Sequence, residues 1–269
     1  MANKVNVLYN MRLFDDLASQ DTVIHRIHPL MKLLTTIGYL IVVVSFGRYD
    51  LGGMFPLLVY PVVIFVLADL PLKPILVRIL LVSPLIIGIG ILNPVFDRQP
   101  VLLLGTEVAQ GWITFLSLLL KGGLTVTAGL LLMATTRLDV LAGALRLLKI
   151  PRVFVLQLLL TYRYISVLLE EAARTLRAYA LRAPGQKGIK RYAWGSLSGQ
   201  LLLRTYDRAQ RVYEAMCLRG FDGEYYSGVI PRTKARDLVY LAGWVLFFAL
   251  VRYYDIPLLM GSMLLGVVK

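Results

Sequence analysis

From Ile79 to Phe96 the chain runs for eighteen residues without a charge. A helix needs about 20 mostly apolar residues to cross the hydrocarbon core of a bilayer. Lipid offers no partner to an open backbone N–H or C=O, so spanning segments are helices or closed barrels. Four further apolar stretches accompany this one, at about 30–47, 51–68, 108–136 and 238–268. The chain of 269 residues is 58% hydrophobic and 17% charged. A soluble domain is about 45–50% apolar and about 25% charged. So few charges cannot dress the surface of a water-soluble fold. Disorder, a collagen repeat and a disulfide scaffold are excluded as well, since Cys217 is the single cysteine. The fold class expected is all-α: a polytopic membrane protein with about five to six transmembrane helices and two long amphipathic cytoplasmic helices.

The details of the spans follow from their interruptions. Lys32 sits at the edge of the first and can snorkel to the interface. Pro84 with Gly88 and Gly90 predicts a kink in the third span, about 75–96. Lys121-Gly122-Gly123 interrupts 108–136, which reads as one tilted span or as a partly re-entrant segment followed by a span. Arg252 and Asp255 break 238–268, which crosses once or twice; the total is then five or six, and the side of the C-terminus depends on it. Residues 1–28 hold no apolar signal-peptide core, so the first span is expected to act as an uncleaved targeting signal.

The net charge of +13 would suggest nucleic acid in a soluble protein. Here its distribution gives a simpler cause. Residues 137–236 contain 18 Lys/Arg and 7 Asp/Glu, an excess that the positive-inside rule assigns to the cytoplasm. The organisation expected is a cytoplasmic N-terminal segment 1–29, transmembrane helices one to four in 30–136, a cytoplasmic-facing helical block 137–236 and a C-terminal transmembrane region 237–269. Membrane lipid is an expected partner and nucleic acid is not.

Within the basic block, 138–149, 152–182 and 190–219 have helical periodicity, ended by Pro151, Ala183-Pro184-Gly185 and Gly220. Val153–Leu169 is apolar enough to pass for a span. Arg163 in its middle would cost about 2.5–3.5 kcal/mol at a bilayer centre, which favours a helix lying along or beneath the membrane surface.

The two long helices end alike. Residues 174–183 read RTLRAYALRA and residues 211–220 read RVYEAMCLRG. Ala178 and Arg182 in the first correspond to Ala215 and Arg219 in the second, each pair at i,i+4 on one helix face and each followed by a small residue, Ala183 or Gly220. The arginine stands where the helix dipole favours a cation, and its planar fork suits a carboxylate. These are either two C-terminal caps with solvated arginines or two docking points for a partner with paired acidic grooves.

Enzymatic chemistry is thin. No P-loop of the form G-x-x-x-x-G-K-[ST] and no G-x-G-x-x-G occur. His25 and His28 are the two histidines; with Asp21 nearby they make a weak metal site, and packing before a helix started by Pro29 is the simpler role. Lys32, Lys121 and Arg163 are the candidate intramembrane charges and form no evident ion path. A membrane-embedded enzyme with Arg163, Glu170 and Glu171 at an interfacial site stays open, as does a scaffold outside transport.

RVYEAMCLRGFDG (211–223), LLTYRYISVLLEEAARTLRAYALR (159–182) and HRIHPLMKLL (25–34) together resemble the transmembrane T component of energy-coupling factor transporters, nearest to the CbiQ type of cobalt and nickel uptake systems. The resemblance implies that Ala178, Arg182 and Ala183 form the tip of one coupling helix and Ala215, Arg219 and Gly220 the tip of the other. The first motif departs from the family's usual Arg-Gly or Arg-Ser by ending Arg182-Ala183. It further implies two ATP-binding cassette ATPase subunits as partners, a CbiM-like substrate-specific membrane subunit, and a small CbiN-like accessory subunit. ATP-Mg would sit on the ATPases, with no cofactor, metal or catalytic residue on this chain. The implied role is a non-enzymatic scaffold and force transmitter in a bacterial or archaeal cytoplasmic membrane. It leans toward cobalt, with nickel or a vitamin as the alternative cargo.

Overall fold

The computed structural model describes residues 16–47, 51–96, 100–103, 106–183, 185, 188–223 and 233–253. They form two compact units. One draws on Phe14–Arg137 and Pro231–Lys269, the other on Met1–Leu13 and Leu138–Ile230.

The first unit is built from apolar helices. Helix α1 is Pro29–Ser45, with Pro29 at its first position and the His28 side chain accepting from Leu30 N–H. The expected second span is short and composite: α2 (Leu51–Met54), a 3-10 turn (Phe55–Leu58) and α3 (Val59–Leu67). Pro56 opens the 3-10 turn, where its missing N–H costs nothing. Helix α4, Leu72–Gly90, runs on through Pro84; the chain turns at Ile91 before α5, Leu92–Phe96. Helix α6 is one continuous rod, Gln110–Thr135, which decides against a re-entrant segment followed by a span. Helix α10 is Ala235–Tyr253; the rest of the expected 238–268 region lies outside the described residues. By length and composition α4–α5 (Leu72–Pro94), α6 and the later helix Arg152–Arg182 qualify as membrane spans, with α1 and Gly52–Leu67 as shorter apolar helices. One departure from all-α is local: β1 (Pro100–Leu103) pairs antiparallel with β2 (Thr106–Ala109), Val101 opposite Val108, in the connection before α6.

The core of this unit is aromatic. Tyr39 and Tyr60 lie 4.6 Å apart between ring centroids, with Phe248 of α10 at 5.5 Å from Tyr39 and Trp244 edge-on to Tyr60 at 4.8 Å. Their hydroxyls are satisfied inside: Tyr39 donates to Leu57 O (3.1 Å) and Tyr60 shares a hydrogen bond with Thr36 (3.1 Å). Buried tyrosine needs such partners. Gly111 lets the start of α6 approach α5 closely, since a Cβ there would fall 2.5 Å from Asn93 O. By contrast Leu76, Val77, Leu80, Leu81 and Leu85 of α4 point outward, a face suited to lipid.

The expected snorkelling of Lys32 is overturned. Its side chain is buried and its Nζ donates to Thr135 O at 2.6 Å. The end of α1 is closed by two other cations. Lys121 Nζ donates to the carbonyls of Phe46 (2.7 Å) and Gly47 (3.2 Å). Arg252 Nε donates to Ser45 Oγ (3.2 Å) and its guanidinium lies 5.3 Å from the Phe46 ring centre. Lys121 serves open carbonyls at the negative end of the helix, and Arg252 adds a second positive charge there.

The second unit contains α7 (Leu138–Leu147), α8 (Arg152–Arg182) and α9 (Arg191–Leu218). Ala142 of α7 packs on Val155 and Leu159 of α8, with Leu145 and Ile150 around them. Lys149 carries a left-handed backbone, φ 61°, between α7 and α8. Its N–H donates to Arg146 O (3.0 Å), and that of Ile150 to Leu145 O (3.4 Å), closing the helix end. A non-glycine residue there carries strain of about 1–2 kcal/mol, against about 0.5–1 kcal/mol for the extra unfolded freedom of glycine. Lys149→Gly should therefore raise stability by about 1 kcal/mol, read as a higher melting temperature of the full chain in detergent.

Candidate docking sites at the ends of two long helices

Helices α8 and α9 run antiparallel. Glu171 of α8 accepts from Arg204 of α9 (2.7 Å) and from Arg174 one turn along its own helix (2.9 Å). On one side of this bridge Ala172 and Leu176 face Trp194 and Leu201 across a small cavity. On the other side Leu160 and Tyr164 face Val212 and Met216. The Glu171–Arg204 bridge joins helices that the sequence alone could not pair. It also uses a carboxylate that the enzyme alternative required, leaving it on a solvated ion pair.

This pairing places the two expected tips at opposite ends. Ala178 and Arg182 lie at the exposed end of α8, where Arg182 occupies the last turn and Ala183 caps. Ala215, Arg219 and Gly220 lie at the exposed end of α9, beside Leu160 and Arg163 of α8. Arg163 and Arg182 are separated along α8 by about 28 Å at 1.5 Å per residue, so the two arginine sites are well apart. Neither the Arg182 nor the Arg219 side chain has a hydrogen-bond or ion-pair partner among the described residues. A leucine precedes each arginine and stands almost fully out: Leu181 is 83% and Leu218 89% exposed. Each site is thus an unpartnered guanidinium beside an unpartnered apolar side chain. The leucines are visible in the internal match, but their exposure is not.

The caps themselves differ. At α9, Gly220 has φ 79°, its N–H donates to Cys217 O (2.9 Å) and Phe221 N–H donates to Met216 O (3.0 Å). That paired arrangement fixes where Arg219 points. At α8, Ala183 has φ −126° and its N–H donates to Tyr179 O (3.1 Å); the left-handed residue comes later, at Gly185 with φ 87°. Under the α9 tip, Arg163, Tyr164 and Arg219 line one cavity of about 380 Å³ with apolar walls from Leu160, Val212 and Met216. Arg163, whose charge in the sequence argues against a span, adds a second cation beneath the second tip.

The histidine cluster does not converge. Asp21 is held bidentate by Arg26 at 2.6 and 2.7 Å, which keeps its carboxyl below the usual range. His25 meets Thr22 Oγ1 at 2.7 Å and Ala134 O at 3.4 Å, and burial pushes its imidazole below the ordinary value. His28 caps α1. Among the described residues no three His, Cys, Asp or Glu side chains are grouped to hold a metal ion.

With this geometry in place, the chain can be set beside known proteins. The family model CbiQ, described as cobalt transport protein, matches residues 20–227. An uncharacterized protein of Methanocaldococcus jannaschii is 25% identical over 201 residues, covering 70% of this chain and 68% of that protein. The nickel permease LarQ of Lactiplantibacillus plantarum is 33% identical over 113 residues, 40% of this chain and 41% of the permease.

The unequal caps make a direct prediction. Gly220→Ala places a Cβ in the left-handed region and should cost about 1–2 kcal/mol. Ala183→Gly, at an ordinary backbone angle, should cost under about 1 kcal/mol. Melting curves of the two variants in detergent check the contrast.

Proposed function

Because this chain belongs to the CbiQ family of cobalt transport proteins, we propose that it is the transmembrane scaffold and energy-coupling component of an ATP-driven importer of the energy-coupling factor type. It is a membrane protein of a transport family, and its role is that of a transport component and not of a catalyst. The observation that carries the finer reading is the pair of exposed Leu-Arg helix ends at opposite ends of α8 and α9. One chain with two such ends can engage two copies of one partner.

In this reading Arg182 and Arg219 each enter an acidic groove on one of two ATP-binding cassette ATPase subunits. Ala178 and Ala215 allow close approach, and Ala183 and Gly220 end the helices at the contact. Leu181 and Leu218 add apolar burial that exposed arginine alone would not supply. ATP-Mg binds the partners, whose closing and opening moves α8 and α9. A CbiM-like membrane subunit, with a CbiN-like accessory subunit, receives that movement and carries the metal ligands, in the cytoplasmic membrane of a bacterium or archaeon. Cobalt is the cargo favoured by the family's description; nickel is the second reading, because the relative LarQ is named a nickel permease.

A charge-assisted hydrogen bond contributes about 1.5–3 kcal/mol. Arg182→Glu or Arg219→Glu alone should weaken ATPase-subunit binding by about tenfold or more, and the double reversal should abolish co-purification in mild detergent. Equal recovery of the ATPase subunits with wild type and the double variant would overturn the docking role.

A further inference from the structure

Two buried charged side chains take no part in the docking reading. Lys32 is 4% and Asp237 2% exposed. Each closes helix ends. Lys32 Nζ donates to Thr135 O (2.6 Å), the last residue of α6. Asp237 Oδ2 accepts from Lys234 N–H (2.8 Å), at the start of its own helix α10, while Oδ1 accepts from His28 N–H (3.2 Å), at the start of α1. One carboxylate thus caps two helices, at the positive end of each. Arg236 Nη2 adds a bond to Arg26 O (3.0 Å).

These contacts fall at two seams of the chain. Thr135 stands just before Leu138, where the inserted unit begins, and Lys234 just after Ile230, where it ends. The two connections that flank Leu138–Ile230 are tied to the same turn, His25–Lys32. We propose that Lys32 and Asp237 are positioning residues that form a joint. They clamp both connections to the start of α1, so that a pull on the inserted unit moves α1, α6 and α10 together instead of being lost in the connections. The idea rests on the energy-coupling reading above. It explains why charges are buried where apolar side chains would serve: a charge-assisted hydrogen bond to a backbone group is directional, and removing the charged side chain leaves that buried group open.

The test uses the complex with its ATPase and substrate subunits in proteoliposomes, following phosphate release and uptake of cobalt(II) and of nickel(II). Lys32→Met and the nearly isosteric Asp237→Asn should assemble and hydrolyse ATP close to the wild-type rate, while uptake per ATP falls about tenfold. Lys32→Arg, which keeps donor and charge, should recover most of it. Tyr39→Phe, which removes a buried hydrogen bond of α1 away from the seams, should lower the melting temperature and leave uptake per ATP unchanged. Wild-type uptake per ATP in Asp237→Asn and Lys32→Met, or a parallel fall of uptake and hydrolysis in both, would overturn the joint and leave the coupling reading standing. A wild-type complex that moves neither ion overturns the coupling reading, and the joint with it.

Discussion

Burying a helix end in lipid or protein requires a partner for every open backbone group there, and in this chain charged side chains from other helices meet that requirement. Helix α1 is the centre of it. Its start is closed by the carboxylate of Asp237, its far end by Lys121 and Arg252. The signs agree with the helix dipole at both ends. Fixing α1 at two points is what allows Tyr39 to sit against Tyr60 and Phe248 with no exposed surface. Lys32 and Lys121, candidate intramembrane charges in the sequence, are closures of the backbone.

What could be read from the chain divides by range. The stops of α3, α7 and α9 were legible because they are local. Asp69-Leu70-Pro71, Lys149-Ile150-Pro151 and Gly220-Phe221 each put a left-handed residue ahead of an apolar one. In each, the apolar residue donates its N–H back across the last turn. Helices that need only periodicity and a breaker, such as α8 and α9, appear within a residue of their expected ends. Lys32 was misread because its partner, Thr135, is 103 positions away; an edge lysine and an inward lysine have the same local sequence. The β1–β2 hairpin was missed for a related reason. Its four-residue strands are too short to separate from a loop by alternation alone.

The candidate sites divide the same way. A repeated Ala-x-x-x-Arg with a small residue after it marks two helix ends, and that part is sequence. The distance between them is not. It follows from the antiparallel pairing of α8 with α9 through Glu171 and Arg204, residues 33 positions apart. The contribution of Arg163 under the second tip follows from the same pairing.

A single chain cannot meet a two-fold pair of partners by its own symmetry, so the two contacts in the proposed complex must be made by different surroundings of a similar motif. The difference is already in the backbone. Arg219 precedes a glycine held by two hydrogen bonds across the last turn, over a cavity that it shares with Arg163. Arg182 precedes an alanine with an ordinary backbone angle and one such bond. The first arrangement orders the backbone that carries its arginine before a partner arrives and adds a second positive charge. The second leaves ordering to be completed on contact, at a cost in entropy. In the proposed complex, two identical ATPase subunits would therefore meet one preorganised tip and one adaptable tip, and the stronger grip would belong to α9.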